Sequence, residues 1–199
     1  MSITSQLTRL LRSVVRSPAT RRAVRDLVGG ASRSTTSRRH PGNAAPPDGR
    51  SALADRPSLP PVVMSYDPVD DGRADPGEVV WAWVPFEEDI TRGKDRPVLV
   101  LAREDARRGG TDGAGEVLVG LMATSRDGGA GTYTDERGAT WVDIGSGAWD
   151  AQGRPSEVRV DRLLRIPVDA VRRDGAALDA ARFAEVASAV RGAHRWDRA

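Results

Sequence analysis

Cysteine is absent from the 199 residues, which removes disulfides, thiolate metal sites and cysteine nucleophiles from consideration. Histidine is nearly absent: the chain has two, His40 and His194, and both fall outside the segments that read as strands. A paired-histidine acid-base centre of the kind many ribonucleases use is therefore not expected. No apolar run approaches the roughly eighteen residues needed to span a bilayer, and the first residues lack an uninterrupted apolar stretch with a cleavage site. The chain reads as neither secreted nor membrane-integral, and the lack of thiols suits a reducing cytoplasm. Aromatic residues make up only 5%. Trp81, Trp83, Trp141 and Trp149 are read as either core and interface residues or platforms for stacked bases.

The phosphate-binding and dinucleotide-binding glycine patterns are missing as well. Gly128, Gly129 and Gly131 form a glycine-rich stretch, but no Gly-Lys-Ser/Thr follows it. No metal-ligand spacing is present, so neither a cofactor nor a metal is expected.

Charge is plentiful but unevenly placed. The overall +2 combines ten arginines against Asp26 and Asp48 in residues 1–50, a net of +8, with 20 basic and 26 acidic groups in residues 51–199, a net of −6. In the first segment, Ile3, Leu7, Leu10 and Val14 recur at helical spacing, with Leu11 and Val15 beside them and Arg9, Arg12 and Arg16 on another face. Residues 1–28 thus form an expected basic amphipathic helical segment, interrupted at Ser17 and Pro18. It reads first as a solvated, partly disordered tail, and its alternative contacts are a membrane surface, nucleic acid or a protein partner. Residues 29–75 are rich in Ser, Thr, Arg, Gly and Pro and poor in large apolar side chains, the composition of a flexible linker. Residues 76–199 are then the folded body, ample for one modest core.

Within that body, Glu78–Phe86 alternates Val79, Trp81 and Trp83 with Val80, Ala82 and Val84 and reads as a first strand. Gly93–Ala102 is more telling. Arg96 and Pro97 lead into Val98, Leu99, Val100 and Leu101 without polar alternation, the pattern of a central strand covered on both faces. Arg103–Gly115 reads as an exposed connection and Val117–Thr124 as a third strand. Further strands are expected at Ala139–Ile144, Glu157–Val160 and Leu163–Ile166. Asp179 is the expected N-cap of a helix over Ala180–Arg191, with Phe183, Val186 and Val190 as its buried stripe. The fold class is mainly β with a C-terminal helix: a small antiparallel barrel behind a basic helical extension and a linker.

Four pieces in order carry a resemblance: PGEVVWAWVPF, the Arg-Pro strand RPVLVLA, VLVGLMATS ending in threonine and serine, and EVRVDRLLRIP before the last helix. Over roughly residues 76–191 the chain resembles the PemK/MazF toxins, small endoribonucleases of type II toxin-antitoxin systems. The resemblance implies an SH3-like barrel and metal-independent cleavage of single-stranded RNA. It also implies a homodimer and a cognate antitoxin laid over the RNA site.

Carried onto this sequence, it implies that Arg96 is the catalytic arginine and Thr124 the second catalytic position. Ser125 and Arg126 would border the same pocket, and Glu87, Glu88 and Lys94 would belong to the loop that meets RNA. A guanidinium suits that role because it stays charged and donates paired hydrogen bonds to phosphate oxygens. The rival reading of Arg96 is a surface ion pair with Asp95 or Asp89. Two rival functions remain: a PemK/MazF-like binding or regulatory module without catalysis, and a toxin that acts by binding a topoisomerase.

Overall fold

The computed structural model describes residues 52–125, 129, 131–172 and 176–198. The expected basic segment 1–28 and the linker as far as residue 51 lie outside the described residues. Among the described residues the strands are β1 (Val79–Pro85), β2 (Gly93–Asp105), β3 (Glu116–Thr124), β4 (Thr132–Thr134), β5 (Thr140–Gly145), β6 (Ser156–Arg159), β7 (Leu164–Pro167) and β8 (Val171–Arg172). One helix follows, α1 (Ala180–His194). The body is mainly β with a C-terminal helix, and no helix among the described residues is long and apolar enough to cross a membrane.

β2 is the central strand its aliphatic run predicts. It pairs with β1 on one side and β3 on the other, and its side chains alternate between two apolar clusters. Leu99 and Leu101 join Val119, Leu121, Val142 and Ile144 beneath Phe183, Val186 and Val190 of α1. Val98 and Val100 join Val80, Ala82, Leu118, Leu164 and Ile166 on the other face. All four β2 residues are at most 1% exposed, and each such burial stabilises by about 2 kcal/mol. Register shifts between Val100 and Ala102. The resulting bulge lets Leu101 and Ala102 both enter the helix-side cluster. Across from it, Gly120 passes so close that an added Cβ would lie 2.5 Å from Val98 Cγ1.

All pairs are antiparallel, in the order β4-β5-β6-β3-β2-β1-β8, with β7 on the first half of β3 and β6 on its end. β4 and β8 end that order and do not pair with each other, so the expected barrel is an open sheet. The two ends are three and two residues long, too short for a closing ladder and typical of blunted edges.

Two stretches differ from the sequence expectation. β2 runs on through Arg103, Glu104 and Asp105 into the expected exposed connection, and Ala106 after it is fully buried. Polar side chains there are paired instead of hydrated: Arg103 donates to Glu116 and to Asp75.

Residues 52–75, expected as linker, lie against the sheet. Arg56 is 3% exposed and donates twice to Glu104, at 2.8 and 3.0 Å. Val62 enters the helix-side core, and Tyr66 donates to the Leu178 carbonyl and packs on Phe183. The anchoring is partly ionic, which a count of apolar residues does not register.

α1 begins at Ala180 because the Asp179 carboxylate accepts the Arg182 amide hydrogen bond, satisfying one first-turn donor. It ends at Arg195, which adopts φ 59°. Phe183, Val186 and Val190 are buried as the stripe predicts.

Candidate functional site

Pro97 holds the residue before it extended, so Arg96 enters β2 in strand conformation opposite Ala82 of β1. Val98, two residues on and facing the same side, pairs with Met122 of β3. Two residues from each partner toward the mouth of the sheet lie Arg96 and Thr124, and the period of two puts both on that side.

They line a single open cavity of about 670 Å³. Val84, Phe86, Glu87 and Glu88 form one wall, at the exit of β1. The turn Asp135–Arg137 and Trp141 form another, and Arg159 and Arg162 join the lining from the end of β6 and the turn after it.

The cavity's cations are not equivalent. Arg162 is 8% exposed and engaged through Nε and Nη2, donating to both Asp55 oxygens at 2.7 and 3.0 Å and to the Pro85 carbonyl at 3.0 Å. Arg159 donates to both oxygens of Asp161 and, through Nη1, to Glu87. Burial pushes the Arg159 pKa down, but the bonds and charges of Asp161 and Glu87 outweigh it and raise the pKa above the usual value. Asp161 responds in kind. Burial alone would raise its pKa, and the Arg159 guanidinium and the Thr140 amide hold it below the usual carboxylate range.

Arg96 is different. It is half-buried and makes no hydrogen bond or ion pair with any described residue, and burial alone lowers its pKa. Asp95, its neighbour, pairs with Arg172 at 3.0 Å. Asp89 accepts from the Thr91 hydroxyl and amide, whose hydrogen bonds depress its pKa. The surface ion pair proposed from sequence therefore does not form. A partly desolvated guanidinium without a partner is an anion-binding group. The Thr124 hydroxyl beside it likewise has no hydrogen-bond partner among the described residues.

The other expected site residues separate. Glu87 and Glu88 line the cavity. Lys94 stands at its edge, 6.0 Å from the Phe86 ring centroid, with Arg92 5.8 Å from the same ring. Ser125 is on the opposite side of the strand end from Thr124 and donates to Asp150 at 2.8 Å, beside Arg154. Arg126 lies outside the described residues. Trp141 and Trp149 are 6% and 4% exposed, as core residues are, while Trp81 and Trp83 are half-buried.

His194 does not line the cavity. It touches the Val160 carbonyl and the Ser58 hydroxyl, and burial depresses its pKa. No group of three or more His, Asp or Glu converges as a metal site among the described residues.

Sequence reasoning missed Arg159, Arg162 and the Asp135–Arg137 turn. The available signal was the alternation of Glu157, Arg159 and Asp161 with Val158 and Val160, which separates a polar face from the core.

The class these observations define is a mainly β domain whose one cleft presents an unpaired guanidinium beside an open hydroxyl. A family model described as PemK-like, MazF-like toxin of type II toxin-antitoxin system matches residues 75–193. The chain belongs to that family, and membership implies a cognate antitoxin. No curated protein and no solved structure matches the chain.

Proposed function

We propose that the protein is a toxin that cleaves single-stranded RNA without a metal, acting as a homodimer in the cytoplasm under the control of its antitoxin. The observation that carries this reading is the shared cavity of Arg96 and Thr124, both without partners among the described residues.

The reaction uses the RNA's own 2′-hydroxyl. Its oxygen bonds to phosphorus, the bond from phosphorus to the 5′-oxygen breaks, and a cyclic phosphate remains on the upstream fragment. Arg96 donates to the non-bridging oxygens as charge grows on the phosphorane, in a setting where partial burial strengthens the interaction. Thr124 holds the phosphate by its hydroxyl. The 2′-proton passes to one of the exposed carboxylates on the walls, Glu88 or Glu136, which are free of partners among the described residues. The departing 5′-oxygen is protonated from solvent.

The test is incubation of the full chain with mixed RNA in chelator, alongside Arg96→Ala and Thr124→Ala. Loss of an oxyanion donor costs about 10²–10³ in rate, and Arg96→Ala is expected in that range. Equal cleavage by the wild type and Arg96→Ala removes Arg96 from the mechanism. Folded wild-type protein that leaves RNA intact favours the binding-module reading, which the acidic balance of residues 51–199 supports.

A further inference from the structure

Glu87 sits on the loop after β1, is 47% exposed in its side chain, and is the third carboxylate on two arginines that already have their own. Asp161 engages Nε and Nη2 of Arg159, and Asp55 engages Nε and Nη2 of Arg162. Glu87 takes the remaining edge of Arg159, Nη1, and its Oε1 lies 3.9 Å from Arg162 Nε. Arg159 is 19% exposed and lines the same cavity as Arg96. A surplus carboxylate on a mobile-length side chain therefore occupies a cationic edge that is preorganised by Asp161 and open to the cleft.

We propose that Arg159 is a second phosphate-binding subsite, for a phosphodiester neighbouring the one held by Arg96, and that Glu87 is its displaceable occupant. This rests on the single-stranded RNA reading and names a second contact of that strand. A phosphodiester carries one negative charge and presents two non-bridging acceptor oxygens, as a carboxylate does, so the exchange at Nη1 preserves both charge and hydrogen bonding. Asp161 stays in place and keeps the guanidinium aimed. The cost of binding is release of Glu87 into water, where its exposure already leaves it well hydrated.

The experiment measures affinity of the full chain for a single-stranded oligodeoxynucleotide, which lacks the attacking hydroxyl and cannot be cleaved, as a function of salt. Glu87→Gln is expected to tighten binding about fivefold to tenfold by removing the competing charge from Nη1 and leaving only a weaker, neutral acceptor there, and Arg159→Gln to weaken it by a similar factor. Arg159→Gln should also lower the logarithmic salt slope by about 0.7, one single-strand phosphate.

The double variant decides between a local exchange and a general field. The gain from Glu87→Gln should disappear in the Arg159→Gln background. Glu88→Gln, which removes the same charge one residue away, should gain less than twofold.

A Glu87→Gln gain that survives loss of Arg159, or an equal gain from Glu88→Gln, overturns the subsite. If Arg159→Gln leaves the slope unchanged while Arg96→Ala still abolishes RNA cleavage, the subsite fails and the nuclease reading stands. If RNA is never cleaved but the Arg159-dependent slope change is present, the subsite stands and the nuclease reading fails.

Discussion

Two arginines of one cavity should respond to the same substitution with opposite signs of stability. Arg96→Met removes a cation that is partly out of water and has no partner among the described residues. A fully desolvated ion costs several kcal/mol. Half-burial and solvent screening reduce that to about 1 kcal/mol here, so the variant should be more stable than wild type by about that amount.

Arg162→Met removes a side chain that satisfies Asp55 twice and the Pro85 carbonyl once. Breaking a buried pair costs about 3–5 kcal/mol. Asp55 is 37% exposed and can rehydrate, so the expected loss is about 2 kcal/mol. The two variants should thus differ by about 3 kcal/mol despite identical chemistry.

Urea unfolding of the full chain reads this as a shift in midpoint at constant slope. In melting temperature, each kcal/mol corresponds to roughly 2–4 °C for a chain of this size. The stabilised Arg96→Met protein should lose RNA cleavage, the exchange of stability for activity expected where a site is held unsatisfied. If Arg96→Met is destabilised as much as Arg162→Met, Arg96 has a structural partner and its charge is not free to take an anion.

Gly120→Ala should destabilise by about 1–3 kcal/mol, since its methyl would meet Val98 Cγ1 at 2.5 Å and the Leu99 carbonyl at 3.0 Å. Calorimetry of that variant checks it. Arg56→Ala should cost about 3–5 kcal/mol and increase proteolysis within residues 52–75, because it leaves Glu104, 6% exposed in its side chain, without its bidentate partner. A double-mutant cycle with Glu104→Ala isolates the pair.

Stability should also fall with acid in two windows. The His194 pKa is depressed by burial, so its contribution is complete above about pH 6.5 and is lost as pH falls through the lower folded value. Asp161, Asp112 and Asp150 have depressed carboxyl pKa values, so theirs is complete above about pH 4 and is lost as pH falls further. His194→Gln should flatten the upper window alone in a pH series of urea midpoints.

The parts legible in the sequence are those where one local rule decides. Val98–Leu101 announces a strand buried on both faces because no polar residue interrupts it, and α1 is announced by Asp179 and the Phe183, Val186 and Val190 stripe. β4 and β8 were not legible. Two or three residues carry no periodicity, and Thr132–Thr134 owes its conformation to pairing with β5.

The continuation of β2 to Asp105 and the docking of residues 52–75 were hidden for a shared reason. Arg103, Glu104 and Arg56 look like solvent-facing residues until their partners, distant in sequence, are known. The site divides in the same way. Arg96 and Thr124 could be marked as strand ends within a resemblance, whereas Arg159 and Arg162 reach the cavity through the pairing of β6 with β3 and β5.

The acidic balance of the folded body does not by itself exclude a polyanionic ligand, because a bound strand responds to the charges within a Debye length of the cleft and not to the net charge of the whole body. Glu104 is held by Arg56, Asp75 and Glu116 by Arg103, Asp112 by Arg165, Asp150 by Arg154, Asp95 by Arg172 and Asp55 by Arg162. Beyond a Debye length of about 8 Å at physiological salt, exposed charges are largely screened. What a strand meets in the cleft is therefore set by the charges that line it, among them Arg96, Arg137 and Arg159 against Glu87, Glu88 and Glu136.

This has a measurable consequence. Two phosphate contacts, at Arg96 and Arg159, give a logarithmic salt slope of about −1.4 for a single strand. A chain lacking residues 1–28 should keep that slope if the cleft alone binds. A slope of about −3 or steeper in the full chain, returning to about −1.4 on that deletion, would assign the extra contacts to its basic segment. A steep slope that survives the deletion would instead place further phosphate contacts on the folded body, and the two-contact cleft would be too small a description of the binding surface.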